Sequence, residues 1–376
     1  MCQSEALYPY SPALQLLDPW MRKHLPNWDE IATRRLIQLA SGIFERKSLL
    51  IEEIARSTAF NAAEQTSNET QVRRILRDER LSLATMYYPL ISRLLDDLKT
   101  DVLYLVMDET THSNDYCLFQ ISLATDGFSI PLGFFQYDID APWADDAREL
   151  LKTLDGYIPE HFTVILLADR IHTGDPFLCC LDELNWEYVF RAPDDTYIET
   201  QTCWKMVRTL YKRKNVGRFL NAVRVWKGST RRANISIYKY ARAGYRAVNW
   251  YLISSLPARM ERFAEYACRW WQECTFKDIK SALFNWERGR VIEPERVEVL
   301  LIGMSCALWV MWMLGRAYEH IPKRKPSTTK PQKRRKSIIK QGVDIFEKFR
   351  KKKIELELEL PPRPRVLDYE RTFDIS

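Results

Sequence analysis

No CxxC pair and no zinc-type spacing occurs among the eight cysteines (2, 117, 179, 180, 203, 268, 274 and 306) of this 376-residue chain. A cysteine-ligated metal centre or a disulfide framework is therefore not expected, and the thiols read as reduced groups of a cytosolic protein. The N-terminus, MCQSEALYPYSPALQLL, lacks a basic region followed by an apolar one, so no signal peptide is expected. Long apolar runs are also missing. Residues 299–314 are uncharged and mostly apolar between Glu298 and Arg316, but they fall short of the ~18–20 residues of a bilayer span. They predict a buried core helix and no membrane partner.

Overall charge is mild at +6, yet badly distributed. Residues 322–353 carry 14 Lys/Arg and 2 Asp/Glu, so +12 sits there and the remaining 344 residues sum to −6. A polyanion is the natural partner of such a segment. Its Pro and Lys/Arg density over 322–337 predicts extended, mobile chain. IELELEL (354–360) alternates with period two and suggests an edge strand.

The length predicts two or three structural units. Residues 1–98 show apolar positions at 3–4 spacing and no alternating strand. Within them, IEEIARSTAF, a polar linker and ETQVRRILRDERL resemble helix–turn–helix, with Arg73, Arg74, Arg77 and Arg80 on the second helix. From Asp101 the texture changes. VLYLVMD (102–108), YCLFQISLA (116–124) and FSIPLGFFQYDI (128–139) read as strands, 144–157 as a helix and FTVILLAD (162–169) as a strand. A helix over 176–184 and a strand over 186–192 follow. This is the order of an RNase H-like α/β core with its first and fourth strands central. Residues 193–257 form a β-rich insertion, and 258–321 return to the core. The predicted units are 1–98 (all-α, DNA-binding), 99–192 and 258–321 (core), 193–257 (insertion) and 322–376 (basic tail).

Asp108 and Asp169 each end a predicted strand. On adjacent parallel strands the two carboxylates share one sheet edge, and their repulsion calls for a shared proton or a bound cation. The stretch YACRWWQECTFKDIK (266–280) supplies a third oxygen ligand. At about 100° per residue, Arg269, Glu273 and Lys280 fall within roughly 60° of Tyr266 on one helix face. A carboxylate between two cations suits a metal ion beside a nucleic-acid phosphate. All-oxygen donors favour Mg²⁺ or Mn²⁺, and a two-metal site supports in-line displacement at phosphorus.

With these motifs in place, the chain resembles a DDE transposase of the bacterial insertion-sequence group with a Y-R-E-K signature (insertion-sequence-four-like). MDETT fits D-x-T at Asp108 and Thr110, and LLADR fits the second-Asp motif at Asp169 and Arg170. Tyr266, Arg269, Glu273 and Lys280 complete the signature, and the likeness covers about residues 50–345. It implies cut-and-paste transposition, with Asp108, Asp169 and Glu273 binding two Mg²⁺ (Mn²⁺ as substitute). Arg269, Lys280, Tyr266 and Arg170 would lie on DNA, and Trp250 in NWYLISSLP would stack on a flipped base. Double-stranded DNA (terminal inverted repeats and target), a homodimer in the DNA complex and a cytoplasmic, nucleoid-associated location are likewise implied. His172 departs from the pattern and is expected to be structural. Of Trp270 and Trp271, one is expected to pack on the sheet. A fold that has lost activity, or a nuclease that hydrolyses without strand transfer, remains an alternative.

Overall fold

The computed structural model describes residues 11–25, 28–113, 115–170, 174–210, 216–240, 248–317, 336–352, 356 and 358–360. Among the described residues five α-helices come first: α1 (Pro12–His24), α2 (Glu30–Arg46), α3 (Ile51–Ile54), α4 (Gln65–Ile75) and α5 (Tyr88–Asp96), the last entered through a π-helical turn at Leu83–Tyr87. Ser11 and Asp29 cap α1 and α2 by accepting from the amides of Leu14 and Ala32.

The mixed α/β part follows as β1 (Val102–His112), β2 (Tyr116–Thr125), β3 (Phe128–Tyr137), α6 (Ala144–Asp155), β4 (Thr163–Ala168), α7 (Asp175–Glu183) and β5 (Glu187–Arg191). Strands β6 (Tyr197–Glu199) and β7 (Trp204–Met206) pair with each other. Next come β8 (Arg218–Arg224), β9 (Arg232–Tyr240), β10 (Val248–Ser254), α8 (Glu261–Ala267), α9 (Trp270–Lys277), α10 (Pro294–Ala317) and α11 (Ile338–Lys352).

One eight-stranded sheet runs β3-β2-β1-β4-β5-β10-β9-β8. Strands β1, β4 and β5 are parallel neighbours, and the hairpins on either side are antiparallel. The inserted strands β8–β10 thus prolong the main sheet. Alternation along each strand sorts its residues between two faces. Leu103, Leu105 and Met107 of β1, with Leu166 and Ala168 of β4, join the larger apolar cluster under α6, α7 and α10. Val106, Ile165 and Leu167 point the other way, into a smaller cluster with Phe263, Tyr266, Cys268 and Trp271.

Helix α10 is long and apolar enough to cross a membrane, but it is buried within the protein, in keeping with the core helix expected at 299–314. Gly303 lets α2 press onto it, since a Cβ there would meet Leu39 and Ile43 at 2.9 and 3.0 Å. Through this contact the N-terminal helices share one continuous apolar cluster with the sheet.

Three local expectations are corrected. β1 does not end at Asp108; it runs on to His112, because residues 109–112 pair with Phe119, Leu118, Cys117 and Tyr116 of β2. The basic C-terminal segment is not all tail. Residues 338–352 form α11, whose Ile338, Ile339, Val343 and Phe346 are buried. Its Gly342 lies so close to α10 that a Cβ would fall 2.0 Å from the Met311 carbonyl. Finally, the described residues of IELELEL are not strand; Leu356, Leu358 and Leu360 pack on the core instead. The remainder of the segment read as extended and mobile, residues 322–335, lies outside the described residues.

Candidate active site

The parallel register of β1 and β4 brings Met107 opposite Ala168, so Asp108 and Asp169 come next on their chains. Both share the parity of Val106 and Leu167, and so belong to the face where α8 and α9 lie. The 266–280 stretch is not the single helix expected from its periodicity. It breaks between α8 and α9, where the amides of Cys268, Arg269, Trp271 and Gln272 bond to carbonyls three residues back. This tighter winding lets α8 lie over β4, β5 and β10 while α9 crosses β1, β2 and β3. Arg269 sits at the break.

Three side-chain bonds seat α9. The Ser129 amide donates to the Thr275 hydroxyl at 2.8 Å, and that hydroxyl donates back to the Ser129 carbonyl at 3.2 Å. The Ser129 hydroxyl donates to Gln272 at 2.5 Å. All three residues are fully buried. These anchors, which fix Glu273 between them, carry no local sequence signal because Ser129 lies about 145 residues away.

Three carboxylates converge on one guanidinium. Nη1 of Arg269 is 2.8 Å from Asp108 Oδ2, and Nη2 is 4.0 Å from Asp169 Oδ2 and in close contact with Glu273. The Arg269 and Asp108 side chains are only 12% and 15% exposed. Burial pushes Asp108 up to about 6, with Arg269 opposing and Glu273 and Asp169 adding to the rise. Burial also disfavours the Arg269 charge, but Tyr266, Asp108, Asp169 and Glu273 outweigh it and hold the guanidinium above its ordinary range. Backbone amides of Glu109 and Arg170 donate to Asp108 and Asp169 at 3.0 and 2.7 Å. The Tyr266 hydroxyl donates to Asp169 at 3.3 Å.

As a donor set, three carboxylates drawn to one cationic centre suit a hard divalent ion. With Arg269 in that centre they are spread around it, and among the described residues no three His, Cys, Asp or Glu side chains are grouped to hold a metal as they stand. These three carboxylates are the residues that would hold a divalent ion, and Arg269 would have to leave their centre first.

The other expected site residues are placed as follows. Lys280 lies in a π-helical turn after α9 (Asp278–Ala282) and pairs with Glu287 at 3.4 Å rather than with the three carboxylates. Trp250 is half-buried and packs edge-on against Tyr266, with ring centroids 5.3 Å apart. Trp271 is in the core whereas Trp270 is 62% exposed. Arg170 is exposed beside Asp169, and His172 lies outside the described residues. Arg73, Arg74 and Arg77 are exposed on and just after α4. Arg80 is held by Asp78 and Asp29.

Among known families, the profile described as the transposase DDE domain matches residues 110–310, slightly more than half the chain. That span holds Asp169, Arg269 and Glu273 and starts two residues after Asp108. No curated protein sequence matches the chain. Among solved structures, the piggyBac transposase synaptic complex with hairpin DNA is similar over 93% of this chain and 80% of its own, with a TM-score of 0.42 and 9% identity.

Proposed function

The chain belongs to the transposase DDE domain family, and from that premise we propose that it cuts DNA at the ends of a mobile element and joins the freed 3′ ends to target DNA. The observation that carries this reading is the convergence of Asp108, Asp169 and Glu273 on Arg269. In the proposed active state Asp108, Asp169 and Glu273 would hold two Mg²⁺, with Mn²⁺ as a substitute. Such ions, when bound, activate a water or 3′-hydroxyl and stabilise the leaving oxygen at phosphorus.

The chain's own groups do the rest. Arg269 leaves the carboxylates and turns its fork to a DNA phosphate, a geometry that guanidinium matches well. Lys280 exchanges Glu287 for another phosphate. Tyr266 keeps Asp169 oriented through its hydroxyl. Trp250, stacked edge-on to Tyr266, offers a ring to an unstacked base, where stacking is worth roughly 1–3 kcal/mol. Arg170 faces the same DNA.

We assign the chain to the Y-R-E-K group of insertion-sequence transposases on Tyr266, Arg269, Glu273 and Lys280. Strands β1–β5 with their helices are read as an RNase H-like core, supported by the parallel β1–β4–β5 pairing beside an antiparallel β1–β2–β3 meander. Residues 1–98 are read as the DNA-binding unit, through Arg73, Arg74 and Arg77. Residues 193–257 are read as the insertion and 322–335 as a basic segment on DNA, the whole acting as a homodimer on paired ends in the cytoplasm. The test is to incubate the purified chain and Mg²⁺ with labelled DNA bearing the inverted repeats that flank its reading frame, together with a target plasmid. Joined product supports the reading. Nicks without joining would point to a nuclease, and binding without either to a fold that has lost activity.

A further inference from the structure

A cleft of about 850 Å³ lies between the N-terminal helices and the segment that follows α9. Arg73 and Arg77 line one wall, and Arg288, Arg290 and Arg296 the other. Arg296 is committed to Glu293 at 2.6 Å. Arg73, Arg77, Arg288 and Arg290 are exposed, and none makes an ion pair among the described residues. Glu52 and Glu293 also line the cleft, but the guanidiniums outnumber them, and the excess positive charge favours an anion spanning both walls.

Both walls are tied to the sheet. The Leu49 amide donates to the Phe284 carbonyl at 2.8 Å, linking the chain between α2 and α3 to the far wall. Trp286, buried just before Arg288, accepts at its carbonyl from His112 Nε2 at 2.9 Å. The His112 ring stacks on Tyr116 at 4.9 Å and meets Trp286 edge-on at 4.7 Å. His112 ends β1, four residues beyond Asp108. At ~3.3 Å per residue that is roughly 13 Å along the strand. The extension of β1 past Asp108 thus acts as a rigid spacer between the carboxylates and the cleft.

We infer that this cleft is a phosphate grip for the backbone of duplex DNA flanking the reacting phosphate, with Arg288 and Arg290 as contacts. It rests on the transposase reading above. Four unpaired forks on two walls suit a string of phosphates better than a single anion, and the bonded path from Trp286 to His112 connects the far wall to the strand that carries Asp108.

The test measures duplex DNA affinity of the full chain by fluorescence anisotropy across a salt series, for wild type, R288A/R290A and R288K/R290K. Removing two phosphate contacts should flatten the log K against log salt slope by about 2 and weaken binding by about tenfold or more. The Lys pair should keep most of the slope. Calorimetric Mg²⁺ binding and the melting temperature should stay at wild-type values in both variants, which separates the cleft from the metal site and from misfolding. If wild type binds duplex DNA and R288A/R290A shows the same slope, the grip is overturned while the transposase reading stands. If wild type itself binds no DNA, both fall.

Discussion

Arg269 Nη1 donates to Asp108 Oδ2 at 2.8 Å, joining the α8–α9 break to the middle of β1. The pair puts an always-charged group where three carboxylates meet. One guanidinium offsets only part of three carboxylates, since Glu273 and Asp169 still add to the rise at Asp108, and any metal must compete with this tethered cation.

Arg269→Ala should therefore bind divalent metal more tightly than wild type in the absence of DNA, by about tenfold for a competing charge–charge contact in a partly screened site. Without metal the variant should lose stability on the order of 2 kcal/mol, because Asp108 keeps its burial but loses its partner. Calorimetry and melting with and without Mg²⁺ check both arms. Weaker metal binding by the variant would contradict the competition.

Thr275→Val keeps the shape of the side chain but strands the Ser129 amide in the core. A loss of about 1–3 kcal/mol is expected, read by urea denaturation. Because Glu273 rides on the same helix two residues away, kcat for end cleavage should fall while KM for DNA holds. A fall in kcat no larger than the unfolded fraction measured under the assay conditions would point to simple unfolding.

Glu265 gives a pH dependence away from the three carboxylates. Burial pushes it up to about 7 despite the opposing pull of Arg262 and Arg259; its carboxylate sits 2.9 Å from Arg262. A carboxyl whose folded value exceeds its unfolded one binds its proton more tightly when folded. Its contribution to stability is then complete below about 4.3 and is lost as pH rises through about 7. The melting temperature of wild type minus that of Glu265→Gln should fall across this window and level off above about pH 8. A difference that rises with pH would show that the ion pair with Arg262 dominates.

Gly342→Ala forces a Cβ onto the Met311 carbonyl, 2.0 Å away. Overpacking of this kind costs typically 1–3 kcal/mol and more where backbone must move. Removing residues 338–352 takes away a helix whose Ile338, Ile339, Val343 and Phe346 are buried and should lower the melting temperature further. Equal melting of Gly342→Ala and wild type would mean that α11 is not held against α10.

The apolar runs before Asp108 and Asp169 made the two central strands legible, since a strand buried on both faces has little choice of residue. The extension of β1 was not, because Glu109, Thr110, Thr111 and His112 read as a loop until paired with β2. A 100° period brought Arg269 and Glu273 to one face, and they do meet. The same period assumed unbroken winding, so it missed the break at Cys268 and the π turn that carries Lys280 to Glu287. Seating by Ser129, Gln272 and Thr275 is non-local and leaves no trace in spacing. In α11, dense Lys and Arg masked an apolar stripe whose clearest marker was Gly342.

The most direct test of the proposed site is metal-dependent cleavage of labelled element ends by Asp108→Ala, Asp169→Ala and Glu273→Ala, each checked for an intact melting transition. All three should lose cleavage by about 10³-fold or more, as expected when a catalytic group is removed, while still binding end DNA. A folded variant of any one that cuts at the wild-type rate would contradict the shared site.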